Sequence, residues 1–327
     1  MIERSRLSAP AFSLETAQRD ALGQTLVELG RHNPEVVVLT ADLGESLRLQ
    51  AFAKEFPQRY FELGVAEQNL MGVAAGMALT GKIPFVCSFA VFSPGRSWDQ
   101  LRVSVCYAKA NVKVIGGHVG FSNGGDGGTH QALEDIAITR CLPHLVVLSP
   151  ADASQTAQAV LAAAEHRGPV YLRVSRSAPY QPLAGWSGTA NQPFQLGKAQ
   201  ILRSGEDVTI VATGLMVNEA MRAAQQLDQL RISAEVINLH TIKPIDREAL
   251  LHSLKKTGVL VTIEEHQQAG GCGSAILEAL AGKICVPMAL LGVNDQFGES
   301  GQPLELVNKH HLNAEGIQRA VEHLLHR

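Results

Sequence analysis

Residues 67–89 read EQNLMGVAAGMALTGKIPFVCSF. The first thirteen form a strongly apolar run of helical length, in which Gly72 and Gly76 stand four residues apart and would let another backbone approach closely. The last seven, Ile83 to Phe89, are a β-branched and aromatic run of strand length. The same alternation recurs on both sides. Strands are expected at Val36–Thr40, Ile83–Phe89, Val112–Gly116, Leu145–Ser149 and Val170–Val174. Helices are expected at Glu67–Leu79, Trp98–Ala108, Leu133–Arg140 and Ser154–His166, the last with Asp152 or Ser154 as its cap. Such alternation implies parallel strands joined by helical crossovers. From Ser177 to Gln195 the chain is rich in Pro, Gly and small polar residues and has no period, as a linker does. A second unit follows, with strands expected at Val208–Ala212, Ala234–Leu239, Val259–Glu264 and Val286–Leu291. Its helices are expected at Val217–Leu230, Arg247–Lys256, Ser274–Ala281 and Gly316–Leu325. The fold class is α/β with two doubly wound domains, whose ligands belong at the carboxyl ends of the strands.

The totals agree with two domains. A chain of 327 residues exceeds the usual single-domain size, and 46% hydrophobic with 18% charged residues is ordinary for a compact protein. A net charge of -3 and the lack of a basic stripe with interleaved aromatics argue against nucleic acid as a partner. The five cysteines form no CxxC pair and are odd in number, which fits a reducing cytoplasm better than a disulfide framework. The N-terminus MIERSRLSAPAF lacks the apolar core of a signal peptide, and the longest apolar run, Leu70–Leu79, is about half a membrane span. A soluble, unprocessed, cytoplasmic protein with no membrane partner is expected.

Three segments carry candidate chemistry. Glu67 starts the apolar helix, where burial and the helix dipole pull a carboxyl's proton affinity in opposite directions; offsetting the dipole is the plainer alternative. Phe89 and Phe92 lie just past a strand end, and core packing would account for either alone. Between Gly116 and His130, GGHVGFSNGGDGGTH holds seven glycines with His118, Asp126 and His130 embedded among them. Backbone of this kind can come close to a ligand. The two histidines are not at zinc-ligand spacing and no cysteine accompanies them, so no metal site is expected on this chain.

The string ELGVAEQN followed by GxxxG, and the loop Asp126-Gly127-Gly128-Thr129-His130-Gln131 (D-G-x-T-H-Q), resemble the transketolase superfamily. The resemblance covers nearly the whole chain. It implies a parallel-sheet domain binding the pyrimidine of thiamine diphosphate over residues 1–180, a linker at 181–195, and a smaller mixed-sheet transketolase C-terminal domain over 196–327. It implies that Glu67 hydrogen-bonds the cofactor's aminopyrimidine and promotes its activation, that Phe92 stacks on that ring beside Phe89, and that Asp42 lies close to the thiazolium. Arg19, Ser46, His118 and Arg176 match positions that hold a sugar phosphate, with Arg173 a weaker neighbour. Asp126 and His130 match residues that bond the donor ketose near its reacting carbons. Where the family usually has a third aromatic or a basic residue, this chain has Gly95, with Arg96 beside it and one inserted residue before Trp98.

Gly125-Asp126-Gly127 spells the opening of the family's metal and diphosphate motif, but no asparagine follows in PADASQTAQ, so it is not that site. The domain that would hold the diphosphate with Mg2+ or Ca2+ has no counterpart here. The resemblance therefore implies the C-terminal (beta) subunit of a split transketolase, active with an N-terminal-section partner as an α2β2 tetramer. Glu264, Glu265 and His266 suggest no chemistry by themselves, and oligomer contact is the role expected of the second domain. The alternatives are the β chain of a 2-oxo acid dehydrogenase, which shares GVAEQ but is not expected to carry the D-G-x-T-H-Q loop, a deoxyxylulose-phosphate-synthase-like enzyme, and a non-catalytic scaffold of the same fold.

Overall fold

The computed structural model describes residues 7–326. The first unit runs α1 (Gln18–His32), β1 (Val36–Thr40), α2 (Gln50–Glu55), β2 (Tyr60–Glu62), α3 (Glu67–Leu79), β3 (Ile83–Phe89), α4 (Trp98–Gln100), β4 (Lys113–Gly117), α5 (Asp135–Arg140), β5 (Val146–Leu148), α6 (Ala153–Glu165) and β6 (Val170–Val174). The second runs β7 (Gln200–Arg203), β8 (Val208–Ala212), α7 (Met216–Gln229), β9 (Ala234–Asn238), β10 (Thr241–Lys243), α8 (Arg247–Thr257), β11 (Leu260–Gln267), α9 (Cys272–Leu280), β12 (Met288–Val293), α10 (Pro303–Lys309) and α11 (Ala314–Leu324). The helix expected over Trp98–Ala108 is one continuous coil that widens to π winding from Leu101 to Tyr107.

The larger sheet has the order β10-β5-β6-β4-β3-β1-β2. Its pairings are parallel except at β10, which comes from the second unit and runs antiparallel to β5. Alternation along β1 explains why helices cover both faces: Val37 and Leu39 pack with Leu70 and Met71 of α3, while Val36 and Val38 pack with Leu22 and Leu26 of α1. Each such fully buried side chain contributes roughly 1.5–3 kcal/mol. The smaller sheet, β12-β11-β8-β9-β7, is mixed because β7 opposes β9 while the rest are parallel. Both sheets thus conform to the expected α/β class.

Gly72 and Gly76 lie on the outer face of α3, and a Cβ at either would meet nothing within 4 Å. The close approach they permit is therefore not used within this chain. The segment between β6 and β7 has no helix or strand but is anchored: the Asp152 carboxylate caps α6 at Gln155 and also accepts from the backbone and hydroxyl of Thr189.

Candidate functional site

The sheet order assembles the site. The loops after β6, β4, β3, β1 and β2 emerge side by side at the carboxyl edge, and they carry Arg176, His118 with His130, Phe92, Asp42 with Ser46, and Glu67. Glu67 opens α3 and is buried at 4% exposure, its Oε1 accepting from Arg96 Nη1 at 2.8 Å. The Arg96 guanidinium lies 4.1 Å from the centre of the Phe92 ring. Phe89 stacks on Phe92 at 5.9 Å and on His118 at 4.0 Å, while His130 meets Phe92 edge-on at 5.3 Å. A run of planar groups thus leads from Glu67 to His118.

Beyond His118 the site turns cationic. Burial, helped by Arg19, Arg176 and Arg48, pulls the His118 imidazole down to about 3, so it is neutral at pH 7. Among the described residues its buried Nδ1 has no partner, and neither does the buried Nε of Arg19. Arg19 Nη1 donates to the Ser46 carbonyl at 3.2 Å and Arg176 Nη1 to the Asn123 carbonyl at 3.4 Å. Among the described residues neither arginine is ion-paired, whereas Arg48 binds Asp20 at 2.8 Å. Burial lowers the Arg19 pKa first, and the like charges of Arg48 and Arg176 lower it further. Such a cluster is complementary to an anion. Arg48, absent from the expected set, sits two residues beyond Ser46 in the same loop.

The two expected aspartates are exposed. Asp42 is exposed in left-handed backbone, its N–H donating to Glu62 Oε1 at 2.7 Å, and it shares a groove with Ser46 and Tyr60. Asp126 is exposed in the short turn Gly124–Asp126. Arg173 is corrected outright. It is buried against Asp135, with contacts of 2.7 and 3.0 Å, on the face of the sheet that α5 covers, so it is not available to a phosphate.

The glycine loop is shaped by the second unit. Glu265 Oε1 accepts from the Phe121 backbone at 2.6 Å and from the Tyr180 hydroxyl at 2.8 Å. Burial pushes the Glu265 carboxyl up to about 7, against the pull of those two donors. Gly120 has a φ of 61°, and a Cβ there would run into that carboxyl; one at Gly128 would press on the Gly298 carbonyl. Gln131 Nε2 reaches the Glu299 carbonyl at 2.9 Å. Glu264 instead caps α9 through the amides of Cys272 and Gly273, and His266 Nε2 accepts from Ala137. The second domain therefore buttresses the loop that bears His118 and His130.

Comparison with known proteins agrees with this geometry. Residues 15–181 match the family model for the transketolase pyrimidine binding domain, and residues 197–317 match that for the transketolase C-terminal domain. The chain belongs to the transketolase family. It is 42% identical over 309 residues to the 6-deoxy-6-sulfo-D-fructose transketolase subunit SqwH of Clostridium sp., covering 94% of each chain. It is 37% identical over 301 residues to an apulose-4-phosphate transketolase subunit of Phocaeicola vulgatus, covering 92% of this chain and 95% of that protein. A solved split-gene transketolase, an inactive beta4 tetramer, superposes with a TM-score of 0.84 at 45% identity, covering 95% of this chain and 98% of that one. The transketolase of Campylobacter jejuni shares the fold at 21% identity and a TM-score of 0.80, and this chain spans 49% of it.

Membership of the transketolase family carries a transketolase-type role and dependence on thiamine diphosphate. The residues fit the pyrimidine end of that cofactor, since a buried carboxylate and an aromatic face lie together. Among the described residues no three His, Cys, Asp or Glu converge as a metal cluster. Among the same residues no helix is long and apolar enough to cross a membrane.

Proposed function

We propose that this chain is the C-terminal (beta) subunit of a split transketolase, which moves a two-carbon ketol unit from a ketose to an aldose when paired with an N-terminal-section subunit. The observation that carries the proposal is the placement of buried Glu67 beside the half-buried Phe92 at one end of a planar run whose other end is a cluster of arginines around neutral His118. The cofactor, when bound, would supply the nucleophilic carbon that ketol transfer requires. Glu67 would hold a proton toward the aminopyrimidine and Phe92 would orient that ring by stacking, with Phe89 as wall. His130 and Asp126 orient the donor hydroxyls, and Asp42 lies on the thiazolium side. Those roles for the two aspartates rest on their motifs alone.

Arg19, Arg176 and His118, with Ser46, hold the sugar's terminal anion. The relatives named above act on a phosphorylated sugar and on a sulfonated one, so either group is a candidate for this pocket. The partner would hold the diphosphate and its Mg2+ or Ca2+, in an α2β2 assembly in the cytoplasm. The residue ranges 1–180, 181–195 and 196–327 remain the proposed domain division. Support for a partner comes from relatives described as subunits that this chain matches nearly end to end.

Two outcomes are expected. The pure chain with thiamine diphosphate and magnesium will show no ketol transfer, and adding the N-terminal-section subunit will restore it; robust turnover by the single chain refutes the split reading. In the reconstituted pair, Arg176→Ala will raise KM for an anionic sugar roughly tenfold or more, the equivalent of losing one hydrogen bond to a charged group. It will leave the uncharged analogue little changed. Steady-state kinetics on phosphate, sulfonate and neutral ketoses measures both effects, and an equal rise for the neutral sugar removes the anion role.

A further inference from the structure

Arg96 occupies the place where the proposed function puts the cofactor ring. Its guanidinium is a planar group that directs an N–H edge at Glu67 Oε1, 2.8 Å away, and covers the Phe92 ring at 4.1 Å. An aminopyrimidine bonded to Glu67 and stacked on Phe92 would need the same carboxylate and the same ring face. One buried carboxylate and one phenyl ring cannot serve both in this way.

The rest of Arg96 is arranged to let go. Its backbone is fixed, the N–H donating to the Phe92 carbonyl at 2.7 Å and the carbonyl accepting from Gln68 at 3.3 Å. The side chain, however, is half exposed, and Glu67 is its hydrogen-bond partner among the described residues. It can leave toward solvent without breaking the loop that carries it.

We propose that Arg96 is a displaceable stand-in for the aminopyrimidine, which compensates the buried charge of Glu67 until cofactor arrives and thereby sets cofactor affinity. This rests on the thiamine diphosphate reading of the site. Any ligand that must first expel a resident group binds with an apparent affinity reduced by the fraction of sites already vacated. Removing Arg96 should therefore tighten binding, the opposite of what loss of an ordinary binding residue does.

The test is equilibrium dialysis of thiamine diphosphate, with magnesium, against the chain reconstituted with its N-terminal-section partner. Wild type, Arg96→Ala and Arg96→Lys are compared, alongside thermal unfolding with and without saturating cofactor. Arg96→Ala is expected to lower Kd about two- to fivefold, the range of a partly exposed ion pair. Arg96→Lys, which keeps the charge but not the plane, should fall between it and wild type. Arg96→Ala should lower Tm of the cofactor-free complex but not of the saturated one. A Kd that is unchanged or raised in both variants, or an equal loss of Tm in both states, overturns the proposal. Should the alanine variant not fold, the lysine variant alone decides on the same criterion. Failure of the wild-type complex to bind thiamine diphosphate would instead remove the reading on which the proposal stands.

Discussion

Glu67→Ala in the reconstituted enzyme is expected to lower turnover by roughly 10²–10⁴-fold, the usual contribution of a placed proton-transfer group. Proton exchange at the thiazolium carbon should fall with it. Stability should hardly change, which separates this outcome from misfolding. A carboxylate in the first turn of a helix contributes only about 0.3–1 kcal/mol through the dipole. The partner left behind, Arg96, is half exposed and can be rehydrated. A hundredfold rate loss corresponds to about 2.7 kcal/mol, so the kinetic effect exceeds the structural one. Glu67→Gln keeps shape and a hydrogen bond but cannot hold the proton as a carboxyl does, and it should lose nearly as much. Exchange measured by NMR in deuterated buffer, beside calorimetry, checks both. Near-normal exchange in either variant would leave Glu67 with only its role at the helix end.

The strands that sequence shows most clearly are those whose residues are all buried, such as Val36–Thr40 and Val170–Val174, because both faces of a covered parallel sheet must be apolar. Helix α1 is not legible in the sequence, and its glycines show why. A Cβ at Gly23 would meet the backbone of Arg48 and one at Gly30 the rings of Phe52 and Phe56, so these positions are small because of packing. Glycine within a helical pattern weakens the local signal. Strand β10 is three residues long and owes its existence to β5, some ninety residues earlier in the chain. No local period could announce it.

The site divides along the same line. Glu67, Phe92 and His130 stand in continuous strings and can be placed by them. Arg48 and Arg96 gain their surroundings only when separate loops meet, and Arg173 is misplaced by sequence because nothing in YLRVSR tells which arginine faces α5. The glycines of the His118–His130 loop suggest ligand approach, yet Gly120 and Gly128 are also required by the second domain pressing on them.

That buried arginine gives the second large effect. Asp135→Ala is expected to destabilise the chain by about 3–5 kcal/mol, since it strips the partner from a cation in the interior. Arg173 is 3% exposed and Asp135 1% exposed, and the Tyr171 hydroxyl adds a third contact at 2.7 Å. Burial alone would raise the Asp135 carboxyl, but Arg173 outweighs it and holds the group below its usual range. The stabilisation from a depressed carboxyl is complete above its unfolded-state pKa and vanishes as pH falls through the folded-state value. The gap between wild type and Asp135→Ala should therefore be widest near neutrality and close in acid. Urea unfolding across that range measures it, and a loss under about 1 kcal/mol at pH 7 would mean Arg173 finds another partner. Replacing both residues with apolar ones of similar volume, as in Asp135→Leu with Arg173→Met, should recover much of the stability. It should not recover full substrate affinity. Arg173 Nη2 also donates to the Glu265 carbonyl at 3.3 Å, and Glu265 in turn holds the Phe121 amide. The ion pair thus positions the loop of His118 and His130 from behind, and the double variant should raise KM for the donor sugar even when its Tm is normal.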